Sequence, residues 1–241
     1  MEQLTEKQKK QYKEALLRKT YQGDAIAAFN VFGGYNQGKD GFEKDVDKSF
    51  EYLKISADLG FPQALDAMKS IYGGTDILGI KKEQDLKKYI NYLEMLSISD
   101  QIFDYNSVKD EKWRNKFYTM EWEAYAELGR LYITIPQLYA EDNRRGFTIS
   151  LYVAEKRGLA ESLYALGYYF DCYRPPQYTP SETLLKKRGN LGMALYYYER
   201  AINTDNSRYA NLAFDAYNQL AEYINVEECR TEENMIPYYR R

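Results

Sequence analysis

The 241-residue chain contains no histidine. That absence removes the commonest general base, the commonest metal ligand and every triad built on an imidazole, so any catalysis would rest on carboxylates, Lys or Tyr. Cysteine is scarce: Cys172 and Cys229 stand far apart, without metal-ligand or redox spacing, which fits a reducing compartment. No apolar run is long enough to span a bilayer, and Met1 to Lys10 is charged and polar, unlike a secretory signal or a transit peptide. The expected location is the cytoplasm. An excess of positive charge is missing as well, since 33 basic and 36 acidic residues leave a net charge of −3. Without a basic stripe to displace counterions from a phosphate backbone, neither nucleic acid nor a membrane is an expected partner. The pairs and triplets Lys81-Lys82, Arg144-Arg145, Lys186-Lys187-Arg188 and Arg240-Arg241 are dispersed and read as solvated faces or helix ends.

What the chain has in surplus is tyrosine, at 26 residues. A tyrosine ring offers rigid contact area with a polar tip, suited to helix packing and to interfaces alike. A chain of this length buries roughly 70 to 75 per cent of its unfolded surface, so a core needs neither disulfides nor metal. No segment rich in Pro, Gly or Ser, and none of single charge, divides it into parts of different composition, which points to one architecture.

Internal repetition sets that architecture. Gly60, Ala64, Met68 and Tyr72 stand four residues apart, and the ladder recurs as Gly23, Ala27, Val31, Tyr35. It returns as Met120, Ala124, Leu128, Tyr132 and as Gly158, Ser162, Leu166, Phe170, with Gly129 and Gly167 after the Leu, and in weaker form as Asp205, Tyr209, Ala213, Tyr217. The period is about 35 to 40 residues, as in helical repeat arrays. Four-residue spacing places each ladder on one face of a helix, where small residues admit a neighbouring helix and the aromatic fills the groove beyond. A second signature precedes the ladders: Ser49, Tyr52, Ser56, Gly60; then Phe147, Ser150, Ala154, Gly158; then Ala194, Tyr197, Ala201, Asp205; with Leu86, Tyr89, Leu93 as a degraded form. Gly60 and Gly158 fall where a left-handed residue would end this second helix, and Pro62 suits the first turn of the next. Pro136 should stop the helix through Tyr132. Gly33-Gly34 and Gly73-Gly74 read as turn glycines after helices, and Trp113 and Trp122 as a stacked pair.

These residues resemble the Sel1-like repeat, a relative of the tetratricopeptide repeat, whose pattern is approximately GxxxAxxxLGxxY, a loop, then DxxKAxxYxxxAxxxG. The best matches are Asp45, Lys48, Ser49, Tyr52, Ser56, Gly60 and Leu128, Gly129, Tyr132 through Ala154, Gly158. The resemblance covers about residues 23 to 224 and implies an all-α, right-handed α-solenoid of about five helix-turn-helix repeats. Its expected divisions are an N-terminal capping helix at 1–22, repeats near 23–59, 60–97, 120–157, 158–204 and, in part, 205–224, an insertion at 98–119, and a tail at 225–241. Lys69 stands where the pattern wants Gly, and Asp171 to Leu185 forms a long loop with Pro175, Pro176 and Pro180.

In such arrays the first helix of each repeat lines the concave surface. By the tetratricopeptide analogy the inward stripe holds Phe29 and Asn36; Gln63, Asp66 and Ser70; Glu123 and Arg130; Glu161, Tyr164, Tyr168 and Asp171; and Arg208, Asn211, Asp215 and Asn218. Phe29, Asp66, Arg130, Glu161, Tyr164, Tyr168, Asp171, Arg208 and Asp215 are the candidate protein-binding residues, with Tyr164 and Tyr168 beside Arg130, Asp171 and Arg208 as an aromatic and charged centre. Packing against a neighbouring helix is the competing role for Phe29, Tyr164 and Tyr168. Carboxylates such as Glu121 and Glu123 read as solvated, and no phosphate loop, nucleophile elbow or metal motif is present, so no catalytic residue, cofactor or metal is expected. The resemblance implies a non-enzymatic adaptor or inhibitor that captures a protein partner, a toxin-neutralising immunity protein being one form. The alternative is a hydrolase using carboxylates or Tyr, with the 171–185 loop as a lid.

Overall fold

A computed structural model of the chain describes residues 5–135, 144–171, 190–204, 207–223 and 226. Among them there is no strand, only an isolated bridge between Ile77 and Ile80. The chain divides into two compact units, Met1–Ala124 and Tyr125–Arg241. The first holds α1 (Glu6–Tyr21), α2 (Ala25–Gln37), α3 (Val46–Asp58), α4 (Pro62–Tyr72), α5 (Leu86–Ser97), the short α6 (Ser99–Ile102) and a 3-10 turn (Tyr105–Ser107). Helix α7 (Glu111–Thr134) begins in the first unit and ends in the second, which also holds α8 (Arg144–Arg157), α9 (Ala160–Phe170), α10 (Leu191–Ile202) and α11 (Arg208–Tyr223). Helices pack on their neighbours in chain order from α1 to α5 and from α8 to α11, and α9 also meets α11. The fold is therefore all-helical and built of serial hairpins, as the repeat implies.

Local sequence explains where these helices begin. Gly23, Gly60 and Gly158 each lie two residues ahead of a first helix and have φ of 86°, 81° and 62°, a left-handed conformation that glycine adopts without the Cβ clash of other residues. Pro62 then occupies the first turn of α4. Second helices open on a polar cap: the side chains of Asp45, Asp85 and Asn190 accept from the backbone N–H groups of Lys48, Lys88 and Met193. Thr5 and Gln8 form a reciprocal capping box on α1.

The ladders are the packing stripes. Val31, Met68, Leu128, Leu166 and Ala213 are all buried, and a fully buried side chain of Leu or Met size contributes about 1.5 to 3 kcal/mol. Exposed ion pairs such as Lys54–Asp58 at 3.9 Å add little beside this. Small residues set the helix spacing: Ser49 and Ser56 of α3 are buried and donate to the carbonyls of Phe32 and Ala25 on α2, at 3.2 and 2.8 Å. In the second unit a Cβ on Gly129 would lie 2.5 Å from Ser150 Oγ, and one on Gly167 would lie 2.4 Å from the Tyr198 ring. The tyrosine surplus closes the hairpins. The last aromatic of a first helix stacks on a tyrosine of the second in Tyr35–Tyr52, Tyr72–Tyr92 and Phe170–Tyr197, with ring centroids 5.7, 5.8 and 5.9 Å apart.

Three readings of the sequence are corrected. Tyr92, not Tyr89, matches Tyr52: both stand seven residues after their capping aspartate, so the degraded second signature is shifted by three. Gly33 and Gly34 lie inside α2, and Gly34 is there because the Phe42 ring would come within 2.5 Å of a Cβ. Trp113 and Trp122 share α7, where nine residues of rise hold them about 13 Å apart; Trp113 instead packs on Phe117 at 6.2 Å, with Lys116 over its ring. The expected stop before Pro136 is met, with α7 ending at Thr134. Residues 98–119 contain α6, the 3-10 turn and the start of α7, joined by an aromatic cluster of Phe61, Phe103, Tyr105 and Phe117. Cys172, Cys229, the 171–185 loop beyond Asp171 and the expected tail apart from Val226 lie outside the described residues.

Candidate functional site

In the second unit the first helices deliver their off-stripe side chains to one place. Arg130 on α7 directs its Nε to Glu161 Oε1 on α9 at 2.7 Å and stands 3.8 Å from Glu127 on its own helix. Its guanidinium lies over the Tyr209 ring of α11, 5.5 Å from the centroid, and Tyr209 hydrogen-bonds the Glu161 carboxyl. Tyr164 packs on Tyr209 at 6.0 Å and on Tyr168 at 6.3 Å, and the Arg208 guanidinium lies over the Tyr209 ring, 6.0 Å from its centroid. Two cations, two carboxylates and three aromatic rings thus gather on α7, α9 and α11.

Burial governs the electrostatics of this cluster. Arg130 and Glu161 keep only 19% and 17% of their side chains exposed. Desolvation pushes the Glu161 carboxyl above its ordinary range, and the charge and hydrogen bond of Arg130 hold that rise back. Desolvation pulls Arg130 the other way, but Glu161, Tyr209 and Glu127 outweigh it and keep the guanidinium charged. Tyr209 is pushed up to about 12, first by burial and with Arg130 opposing. The result is a fixed cation framed by acceptors and rings, which clamps the helices together and holds no activated nucleophile.

The expected residues separate into those this cluster gathers and those it does not. Arg130, Glu161, Tyr164, Tyr168 and Arg208 are gathered. Tyr164, however, is only 8% exposed and packs on Tyr198, and Asp171, only 3% exposed, accepts from the Tyr198 hydroxyl at 3.1 Å. Both spend their surface on the fold. Asp215 is exposed on α11, seven residues and two turns beyond Arg208. Phe29 and Asp66 lie in the first unit, Phe29 packed on Phe61 at 5.1 Å and Asp66 paired with Lys69 at 3.1 Å. Sequence reasoning missed Glu127 and Tyr209. Glu127 was detectable as a carboxylate three residues before Arg130, whereas Tyr209 had been assigned to a packing ladder.

The first unit carries a separate cleft of about 360 Å³. Gln63, Asp66 and Lys69 of α4 face Lys116, Met120 and Glu123 of α7 across it. Gln63, Asp66 and Glu123 are the inward positions expected for their repeats. Glu121 is different from its reading as a solvated carboxylate. It is half-buried, and its pKa is pushed up to about 7 by burial and then by the charge of Asp100. Among the described residues no cluster of three carboxylate or thiol groups could hold a metal ion. No described helix is long and apolar enough to cross a membrane.

No family model matches the sequence, and no curated protein matches it. Solved structures do. The chain is similar to the crystal structure of a Sel1 repeat protein from Oxalobacter formigenes, with a TM-score of 0.50 and 20% identity over 92% of this chain and 75% of that one. It is also similar to a protective antigen present in uropathogenic Escherichia coli strains displaying an SLR fold, with a TM-score of 0.41 and 15% identity over 90% of this chain and 47% of that one, so it spans about half that protein's length.

Proposed function

We propose that this chain, which has the fold of a Sel1 repeat protein, is a protein-binding scaffold: a cytoplasmic, non-enzymatic adaptor or inhibitor holding one protein partner on the inner faces of its first helices. Neutralisation of a toxin is one form this role takes. The observation that carries the reading is the convergence of α7, α9 and α11 on the Arg130, Glu161 and Tyr209 cluster. The buried part of that cluster holds the three helices in register. Arg208 and Asp215, exposed on α11, are left to meet a partner, with Tyr168 on α9 half-buried against Tyr164. A rigid aromatic and arginine centre ringed by solvated charges is the composition that concentrates binding energy at protein interfaces.

The test places a photo-crosslinking amino acid at Asp215 and, as control, at the exposed Tyr152 on the second helix α8. A single stoichiometric adduct from Asp215 and none from Tyr152 is expected in native cells. The pair Arg208→Glu and Asp215→Lys should then weaken binding of that partner at least tenfold, while thermal unfolding stays as in the parent, because both side chains are solvated. Equal crosslinking from both positions, or binding indifferent to the charge reversal, refutes the assignment.

A further inference from the structure

Helices α1 and α3 both pack on α2, and the serial hairpins send them in the same direction. Each hides one face against the core and turns the opposite face to solvent. On α1 Leu16 and Thr20 are buried, and Arg18, two residues from each and so about 200° round the helix, is exposed with Lys7, Lys10, Gln11 and Glu14. On α3 Leu53 and Ser56 are buried, while Asp47, Glu51, Lys54 and Asp58 are exposed. From its N-terminal end the outer stripe of α1 reads positive at Lys7, positive at Lys10 beside Gln11, negative at Glu14 and positive at Arg18. The outer stripe of α3 is its inverse: negative at Asp47 and Glu51, positive at Lys54, negative at Asp58. Positions 7, 11, 14 and 18 have the same spacing as 47, 51, 54 and 58, so the two stripes share one helical register. Among the described residues these charges form a single ion pair, Lys54–Asp58 at 3.9 Å, and it lies within α3.

We propose that the two stripes are the halves of one interface with a second copy of this chain, α1 of each copy lying against α3 of the other. Charge complementarity selects this occupant and its orientation. In parallel register Lys7 meets Asp47, Lys10 meets Glu51, Glu14 meets Lys54 and Arg18 meets Asp58, every pair of opposite sign. With the helices antiparallel, 7 against 58 and 18 against 47, Glu14 would meet Glu51 and Lys54 would lie beside Lys10, a repulsion that disfavours that arrangement. Because α1 and α3 run the same way, a twofold axis along their common direction sets each α1 against the other copy's α3. All four pairs are then made twice and the assembly closes as a dimer. Solvated ion pairs fix register more than they add affinity. The apolar area to bury comes from Tyr12, Tyr21, Val46 and Ile55, 37 to 82% exposed on the same two helices. Neither stripe lies on a first helix, so the contact leaves the proposed partner surface open.

Sedimentation equilibrium on the full chain tests this. The parent should dimerise, and less tightly as salt is raised. Asp58→Arg sets a second arginine against Arg18, and the twofold axis repeats the clash, so the dimer dissociation constant should rise about tenfold. Arg18→Asp should do the same from the other side. Arg18→Asp combined with Asp58→Arg restores opposite signs and should bring the constant back to within about twofold of the parent. Since both side chains are solvated, circular dichroism melts of all three variants should match the parent. A chain that stays monomeric up to about 1 mM overturns the proposal. So does a dimer indifferent to the single reversals, or one that the double exchange fails to rescue.

Discussion

Gly167→Ala isolates the packing rule on which the repeat depends. Within a helix the exchange alone should stabilise by about 0.8 to 1 kcal/mol, because alanine is the better helix former. At Gly167 the new Cβ would lie 2.4 Å from Tyr198 Cδ1 and 2.5 Å from Cε1, where carbon contacts settle at about 3.5 to 4.0 Å. The Tyr198 ring would have to retreat by about 1 Å or more. It has nowhere to go, being wholly buried with its hydroxyl held by Asp171 at 3.1 Å. Overpacking costs about 1 to 3 kcal/mol and loosening that hydrogen bond about 1 more, so the net loss should be about 1 to 3 kcal/mol. Gly33→Ala is the matched control: also within a helix, but with nothing inside 4 Å of its Cβ, it should stabilise by about 0.5 to 1 kcal/mol. At about 2 to 4 °C per kcal/mol for a chain of this size, Gly167→Ala should melt roughly 2 to 12 °C lower and Gly33→Ala roughly 1 to 4 °C higher. Circular dichroism at the helical band reads the melts, and hydrogen exchange assigns each change to its own unit. If Gly167→Ala proves as stable as the parent, close approach is not what keeps glycine there.

Further perturbations separate backbone strain from contact, and pairing from burial. Gly158→Ala, with open space around a left-handed residue, should cost about 1 to 2 kcal/mol, and Gly60→Ala should cost more because its Cβ would meet Ile102 at 2.4 Å; equal urea midpoints for the two would contradict this. Arg130→Met leaves Glu161 buried beside Tyr209 without its cation and should destabilise by about 2 kcal/mol, whereas Arg130→Met with Glu161→Gln should recover most of the loss. A double-mutant cycle with no coupling would show that the pair does not join α7 to α9.

The repeat was legible in one dimension because its physics is local. Four-residue ladders, a left-handed glycine before α2, α4 and α9 and an aspartate or asparagine cap before α3, α5 and α10 follow from helix geometry and cap chemistry, and Val31, Met68, Leu128 and Leu166 are buried where the spacing put them. Even the slipped register at Tyr89 was recoverable, since Asp85 and Tyr92 repeat the interval from Asp45 to Tyr52. The candidate site was legible only in part. Arg130 and Glu161 share the stripe, but nothing along the chain says that residues 31 apart will meet at 2.7 Å, or that Tyr164 and Asp171 will be used up in the interior.

The sequence by itself thus determined the helices, their ends and the faces they hide, because those depend on period and on backbone conformation a few residues at a time. Tertiary structure alone decided which distant groups met and how much water each lost: Tyr209 drawn under Arg130, Gly34 yielding to Phe42, and Glu121 half-buried near Asp100 and Tyr105. The reason is physical. Loss of water around a charge, and the room left for a Cβ, are set by atoms that arrive from distant segments, and no local pattern encodes where those atoms come to rest.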